Sequence, residues 1–399
     1  MYRARRLVAL GLALGLVAAA CGSDSNKSGA GSTPASPTTP SQTPASQTPA
    51  NPTTPAAAGG AQAETAKAKE VVAPFLVTPK TINQTVPLTG KIPTDKPWVI
   101  ITCELPQCTL IADGALAAAK AAGVPTKSLP YKTTDGATLT SAMKEALTYK
   151  PFAVTPIGYA QAQWDALQAD YKAAGVIITS IAVGDTVPSD VVTEGSASQV
   201  DYGRGGELMA NWVTADSGAN AKILVQDIPA FAVLKAYGDG FKKGISASCS
   251  ACKVTNLDLA PAQLAEGGVV PAIVSALQKD PSIKYLAATD GAFLVGIDSA
   301  LKAASISGVK IVGGSPDINN LKGLLDGSQT AWTASAEDQY GWVALDIIAR
   351  KLLGMNIPPA DGGRVTMIAT KENVGTPSES GLGAPSDFQD EYKKLWGLS

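Results

Sequence analysis

Short apolar segments alternate with longer helix-forming segments from Trp98 onward, and this alternation limits the fold more than any other feature. The β-branched run Trp98–Thr102 is followed by Ala112–Ala122, which is rich in helix formers and closes on Gly123. Continuous apolar strands separated by helices indicate parallel sheets that are covered on both faces. We therefore predict an α/β protein made of two doubly wound parallel-sheet lobes.

The pattern predicts about nine strands. They are Trp98–Thr102, Thr126–Tyr131, Phe152–Pro156, Val176–Ser180, Ala221–Gln226, Lys253–Leu257, Tyr285–Ala288, Lys310–Gly313 and Val365–Ile368. Ligands of such sheets bind beyond the carboxyl ends of the strands, near helix N-termini. If the two lobes face each other, both sets of strand-end loops line one cleft.

Residues 1–20 have the composition of an export signal. Three arginines among the first six residues precede the apolar run Leu7–Ala20, whose fourteen residues are fewer than the roughly 20 that span a bilayer. The following Ala18-Ala19-Ala20-Cys21 resembles the lipobox of bacterial lipoproteins. This resemblance implies that Cys21 is lipidated and anchors the chain to the outer face of the cell membrane. The alternative is ordinary cleavage at the same bond, which leaves Cys21 free.

Residues 21–90 are predicted to be the lipidated cysteine and a disordered tether. Residues 22–60 are nearly all Ser, Thr, Pro, Ala, Gly, Gln and Asn, and such a stretch buries too little apolar surface to offset its ordering entropy. Its prolines favour an extended spacer, and O-glycosylation stays open. Glu64–Val72 could form a short helix, and Pro74–Pro97 is expected to lie as irregular chain against the domain.

The composition narrows the function classes. The chain has no histidine, which excludes Ser-His-Asp triads, Cys-His pairs and histidine-type zinc sites. The formal net charge of −2 argues against a nucleic-acid partner, which a basic excess would favour. No metal site or cofactor is expected.

Four of the five cysteines can pair locally in an oxidising compartment, as Cys103 with Cys108 and Cys249 with Cys252. The second pair has thioredoxin-motif spacing, but it follows a predicted helix, where no helix N-terminus lowers a thiol pKa. Structural disulfides are therefore favoured over a redox centre or a four-cysteine zinc site.

Six short motifs follow one another between about residues 98 and 370. They are Pro106 with Asp113-Gly114-Ala115, Val200–Glu207, Tyr237–Phe241, Thr289–Gly296, Val312–Gly314 and Asp338-Gln339-x-Gly341. In this order they resemble the type I periplasmic binding proteins, in particular the ribose-type sugar-binding lipoproteins of ABC importers. The resemblance implies a three-crossing hinge, with crossings near 198–201, 335–338 and 366–370. The N-terminal lobe would comprise 91–199 plus 337–367, and the C-terminal lobe 200–336 plus 368–399.

The resemblance also implies a set of ligand contacts in the cleft. Carried over residue by residue, they fall on Leu105, Gln107, Ser180, Lys235, Thr289, Ser315 and Ser335. Lys235 stands where the family has an arginine, and a lysine lacks the planar guanidinium that donates two parallel hydrogen bonds. Several of the residues with which the family binds sugars are thus absent from this chain. Two alternatives remain, a hydroxylated ligand held by other residues and a ligand that is not a sugar.

Other candidate contacts come from the strand-end loops and helix starts. Glu104, Gln263 and Asp290 lie in strand-end loops, and Tyr159, Phe231 and Phe293 lie near helix starts on the cleft side. Asp290 and Asp317 could form the acid/base pair of a hydrolase or lyase, but capping or hydrogen bonding to a ligand is favoured, and no catalytic residue is expected.

The sequence therefore predicts an extracytoplasmic, lipid-anchored, monomeric solute-binding protein, which delivers a small, sugar-like ligand to an ABC permease. A ligand-sensing lipoprotein of the same fold is the alternative.

Overall fold

Ten strands form two separate sheets in the computed structural model, which describes residues 55–184, 186–357, 366–377, 382 and 385–398. The strands are β1 Trp98–Thr102, β2 Thr126–Pro130, β3 Ala153–Pro156, β4 Ile177–Ile178, β5 Lys222–Asp227, β6 Lys253–Asp258, β7 Tyr285–Ala288, β8 Lys310–Gly314, β9 Ala331–Ala334 and β10 Met367–Thr370. The sheets have the orders β2-β1-β3-β4 and β10-β9-β8-β7-β5-β6. Every neighbouring pair is parallel except β9 and β10. The predicted α/β architecture with parallel sheets is confirmed.

Twelve helices accompany the strands in the described part of the chain. They are α1 Pro55–Val72, α2 Pro106–Ala121, α3 Gly136–Thr148, α4 Gln168–Ala174, α5 Gln199–Asp216, α6 Ala232–Ser248, α7 Pro261–Ala265, α8 Val269–Lys279, α9 Ile297–Ala303, α10 Ile318–Asp326, α11 Gln339–Leu352 and α12 Phe388–Leu395. Helices α2, α3 and α4 pack on the four-stranded sheet and α11 packs on α2, and together with this sheet we call them the small lobe. The six-stranded sheet with α5 to α10 is the large lobe.

The apolar runs become strands because both of their faces are buried. Four residues of β1 and all of β7 are buried, as expected for parallel sheets with helices on both sides. The connection from the small lobe into α5 ends at a capping box. The Ser198 side chain accepts from the backbone N–H of Val200, and Asp201 accepts from the N–H of Ser198, which satisfies donors that the first turn of α5 leaves unpaired.

The chain passes between the lobes before α5, between β9 and α11, and between α11 and β10. The first two passages agree with the crossings expected near 198–201 and 335–338. Residues 367–370 of the third expected crossing instead form β10 at the edge of the larger sheet. That passage lies earlier and includes residues 358–365, which are outside the described part of the chain.

Two further elements differ from the sequence prediction. Strand β9 was not predicted, because Ala331-Trp332-Thr333-Ala334 is short and alanine-rich; pairing with β8 and β10 on both sides buries it. Helix α12 packs on α11 of the small lobe, where Trp396 stacks on Trp342 with 5.3 Å between ring centroids. The assignment of all of 368–399 to the C-terminal lobe is therefore corrected.

Residues 55–90 pack against the body of the protein, so the tether predicted over 21–90 does not extend through them. Helix α1 lies along α5, and the Glu64 carboxylate accepts from the backbone N–H of Ser250 in the large lobe. Farther on, the carbonyl of Val86 accepts from the Arg350 guanidinium in α11. This segment therefore contacts both lobes. The predicted export signal, Cys21 and the first part of the tether lie outside the described residues.

Both predicted disulfides are confirmed, Cys103 with Cys108 and Cys249 with Cys252. Within the described ranges no helix combines the length and hydropathy that a membrane span requires. The same ranges contain no group of three or more carboxylate, cysteine or histidine side chains placed to share a metal ion.

Candidate functional site

A cavity of about 80 Å³ lies between the two lobes, where the strands of both sheets end. In the small sheet the strand order reverses between β1 and β3, and in the large sheet between β5 and β7. Such switch points are where open α/β sheets bind ligands. The cavity is lined by Cys103, Leu105, Gln107, Cys108, Ile111, Tyr131, Thr133, Ile157, Gly158 and Ala182 of the small lobe, and by Tyr202, Phe231, Val233, Leu234, Asp290, Phe293 and Glu337.

The small-lobe wall is shaped by the loop that the first disulfide closes. Pro106 occupies the first turn of α2, where its missing N–H costs nothing. The Cys103–Cys108 bridge ties the end of β1 to this turn, so that Leu105 and Gln107 reach the cavity. Opposite them, the hydroxyl of Tyr131 donates to the carbonyl of Ile157 over 2.5 Å. That hydrogen bond fixes the Tyr131 ring between the ends of β2 and β3.

The large-lobe wall centres on Asp290, which follows β7. One carboxylate oxygen of Asp290 accepts from the backbone N–H of Ala292 at 2.9 Å and caps the short 3-10 helix Gly291–Leu294. Burial raises the pKa of Asp290 to about 7, and the neighbouring Asp317 carboxylate adds to the shift. Phe293, on the capped turn, and Phe231, at the start of α6, line the cavity beside this carboxyl group.

The crossings supply the remaining wall. Tyr202 lies in the first turns of α5, and Glu337 lies in the passage from β9 to α11. This passage lies against Gly114 of α2. A Cβ on Gly114 would be only 2.0 Å from the Asp338 carbonyl oxygen, so the close approach requires glycine. Burial raises the pKa of Asp338 to about 6. The second and third passages are joined by a 2.9 Å hydrogen bond between the hydroxyls of Ser335 and Thr366.

Five of the sequence-predicted ligand residues line the cavity, and the others do not. The five are Leu105, Gln107, Phe231, Asp290 and Phe293. Tyr159 packs edge-on against Tyr131, at 5.9 Å between ring centroids, and so supports the wall from behind.

The remaining predicted residues are held by other parts of the protein. The Glu104 carboxylate accepts from the backbone N–H and hydroxyl of Thr133. Ser180 is buried and bonds the Thr186 hydroxyl at 2.7 Å. Lys235 is exposed and paired with Asp239, one turn farther along α6.

Of three more predicted residues, Gln263 and Ser315 serve local structure, and Thr289 is buried outside the cavity lining. The Gln263 side chain accepts from the backbone N–H of Ala260 and caps α7. Ser315 adopts a left-handed backbone conformation after β8. Thr289 is buried beside Asp227, whose carboxylate has no hydrogen-bond partner among the described residues.

Sequence reasoning missed Tyr131, Tyr202 and Glu337 as cavity residues. Tyr131 ends a predicted strand, Tyr202 lies within the motif Val200–Glu207, and Glu337 directly precedes the motif that begins at Asp338. Each position therefore lies at a feature that the sequence shows. A larger groove of about 880 Å³ lies beside α5 and residues 71–83. It does not lie at the strand ends, so we do not regard it as the principal site.

The similarity of this chain to known proteins is found among solved structures. No protein-family model and no curated protein matches the chain. Among solved structures, a solute-binding protein of an ABC transporter from Burkholderia graminis C4D1M, in complex with D-arabinose, aligns with a TM-score of 0.61 and 17% identity, covering 71% of this chain and 98% of that one. An ABC sugar transporter subunit from Rhodobacter sphaeroides 2.4.1 gives 0.59 and 19%, covering 70% and 99%. A periplasmic ribose ABC transporter from Conexibacter woesei gives 0.59 and 15%, covering 72% and 95%.

These similarities define the fold. The chain has the type I periplasmic binding protein fold, as the order of the sequence motifs indicates.

Proposed function

We propose that this protein is the solute-binding component of an ABC importer. The observation that carries the proposal is the cavity itself, which takes its walls from strand ends of both lobes. A solute that contacts both walls stabilises the closed arrangement over an open one, so binding shifts the population toward the form that a permease recognises. The similar structures are described as sugar ABC transporter components, which supports the same role here.

The proposal includes where the protein is placed. Export by residues 1–20 and lipidation of Cys21 would anchor it to the outer face of the bacterial membrane, and the residues before α1 would act as the spacer. A fatty-acid label should enter the wild-type chain in cells and be lost in Cys21→Ser. A Cys21→Ser chain that still carries the label would contradict the anchor.

The two lobes are proposed to act on the solute without changing it. Leu105, Gln107 and Glu337 are assigned to one side of the bound solute, and Phe231, Asp290 and Phe293 to the other. We assign no catalytic residue, because Asp290 caps a turn and Asp317 caps α10.

A thermal-shift screen of sugars, polyols, small aromatics and organic cations tests the proposal. A solute that binds the folded state raises the melting temperature by mass action. The solute should be recovered chemically unchanged after incubation with the protein. Conversion of the solute, or absence of any shift across the panel, would contradict the binding role.

A further inference from the structure

The cavity wall carries two carboxyl groups, and none of its described residues is cationic. Among the described lining residues, Asp290 and Glu337 have carboxylates, and none is a lysine or arginine. The predicted cation, Lys235, is exposed and paired with Asp239 outside this lining. A carboxylate removed from water is stabilised by a nearby cation and destabilised by an anion. The cavity wall therefore favours a positively charged ligand.

The aromatic side chains of the cavity also favour a positively charged ligand. Tyr131, Tyr202, Phe231 and Phe293 all line this small space. Aromatic rings attract organic cations within roughly 6 Å, most strongly where water is excluded. The hydroxyl of Tyr131 is engaged with Ile157, and that of Thr133 with Glu104. Neither hydroxyl therefore has a proton left to donate to a sugar.

We infer that the solute of this cavity is a small organic cation, an amine or a quaternary ammonium compound, held by Asp290, Glu337 and the surrounding aromatic rings. The inference rests on the proposed function and adds the class of solute. The cavity of about 80 Å³ is smaller than the roughly 300–1,000 Å³ of drug-sized sites, so the cation must be small.

The state of Asp290 is consistent with this class of ligand. Burial raises the pKa of Asp290 to about 7, and the neighbouring Asp317 carboxylate adds to the shift. A bound cation would compensate the desolvated carboxylate and lower its pKa. Binding of the cation should therefore strengthen as the pH rises from 6 to 8.

Calorimetric titration of the full chain with four probes tests the inference. Tetramethylammonium and choline are the cations, 3,3-dimethylbutan-1-ol is the neutral isostere of choline, and D-ribose is the neutral polyol. We expect choline to bind at least about tenfold more tightly than its isostere, since charge-assisted and cation–π contacts are lost without the charge. D-ribose should bind more weakly still.

The variants locate the effect. Asp290→Asn keeps a good capping side chain and should weaken choline binding by about tenfold or more. Phe293→Leu keeps an apolar side chain without the ring and should weaken it by several-fold. Asp227→Asn is the matched control, because Asp227 is a buried acid of the same lobe outside the cavity lining, and it should leave choline affinity unchanged.

The outcomes separate the two proposals. If D-ribose binds and neither cation does, or if choline and its isostere bind equally, the cation inference is overturned while solute binding stands. Choline affinity that is unchanged in both Asp290→Asn and Phe293→Leu also overturns it. Failure of all four probes overturns the cation inference, and the wider thermal-shift panel then decides the proposed function separately.

Discussion

Gly184 of the small lobe lies so close to Ala232 of the large lobe that a Cβ on Gly184 would sit 2.3 Å from the Ala232 Cβ. The backbone N of Val233 would be only 3.0 Å away. The two lobes therefore touch at a point where only glycine fits, next to residues that line the cavity. This contact makes lobe closure testable without changing a ligand contact.

Gly184→Ala should hold the lobes apart and weaken solute binding by about tenfold or more, since overpacking a tight contact typically costs 1–3 kcal/mol. The control is Gly203→Ala in α5, where the nearest atom to the added Cβ is the Ala236 carbonyl oxygen at 3.6 Å. Titration of both variants with the best solute measures the effect. Equal affinities would mean that closure at this contact does not contribute to binding.

The two disulfides should differ in their effect on binding. Each closes a short loop, with sequence separations of 5 and 3, so removing either should cost about 2 kcal/mol of unfolding free energy on the loop-entropy model. Of these two bridges, the first lines the cavity with both of its cysteines, and the second is not part of the described lining. The double variant Cys103→Ser, Cys108→Ser should therefore lose solute affinity as well, whereas Cys249→Ser, Cys252→Ser should keep it. Loss of affinity in both double variants would refute a local role for the first bridge.

A buried ion pair in α11 should make a large contribution to stability. Arg350 and Asp346 are 2% and 5% exposed, and the Asp346 carboxylate also accepts from the Trp396 indole N–H at 3.0 Å. Removing one partner leaves an uncompensated buried charge, which typically costs about 3–5 kcal/mol. Asp346→Asn should lower the free energy of unfolding by this order in a denaturant titration. Asp390→Asn, at the exposed pair with Lys393 on α12, should change it little; similar losses would argue against the burial explanation.

Asp227 should contribute less to stability as the pH rises through the acid range. Burial raises the pKa of Asp227 to about 6, so the folded state binds more protons than the unfolded state between about pH 4 and 6. The contribution of Asp227 to the free energy of unfolding should therefore decrease over this window and level off above about pH 6. Asp290 and Asp338, whose pKa values burial also raises, act in the same direction.

Asp227→Asn should remove part of this pH dependence and stabilise the protein at pH 7.5 relative to wild type. Urea unfolding at pH 4.5 and 7.5 measures both effects. A variant with the same slope as the wild type would show that Asp227 titrates normally in the folded state.

The parallel sheets could be predicted because apolar periodicity reports burial on both faces. Leu105, Gln107, Phe231, Asp290 and Phe293 could be predicted because they follow strand ends, which topology brings together. Tyr202 and Glu337 could not be placed in the same way, since their position depends on the path of each crossing. The strand β9 and the site of α12 depend on long-range packing that short-range patterns do not record.

Three of the predicted residues that do not line the cavity are held by partners close in sequence. Lys235 pairs with Asp239 four residues later, a spacing that favours ion pairs on a helix. Gln263 caps the backbone three residues earlier, and Ser180 bonds Thr186. These local partners are visible in the sequence, whereas Glu104 and Ser335 bond residues far along the chain, Thr133 and Thr366, which short-range patterns do not show.

The most direct measurement is a crystal structure of the full chain with the solute that gives the largest thermal shift. The account predicts that this solute lies between the lobes and touches Gln107 on one side and Asp290 on the other, with both sheets unchanged. A solute bound instead in the groove beside α5, or bound to one lobe alone with the interlobe cavity empty, would contradict it.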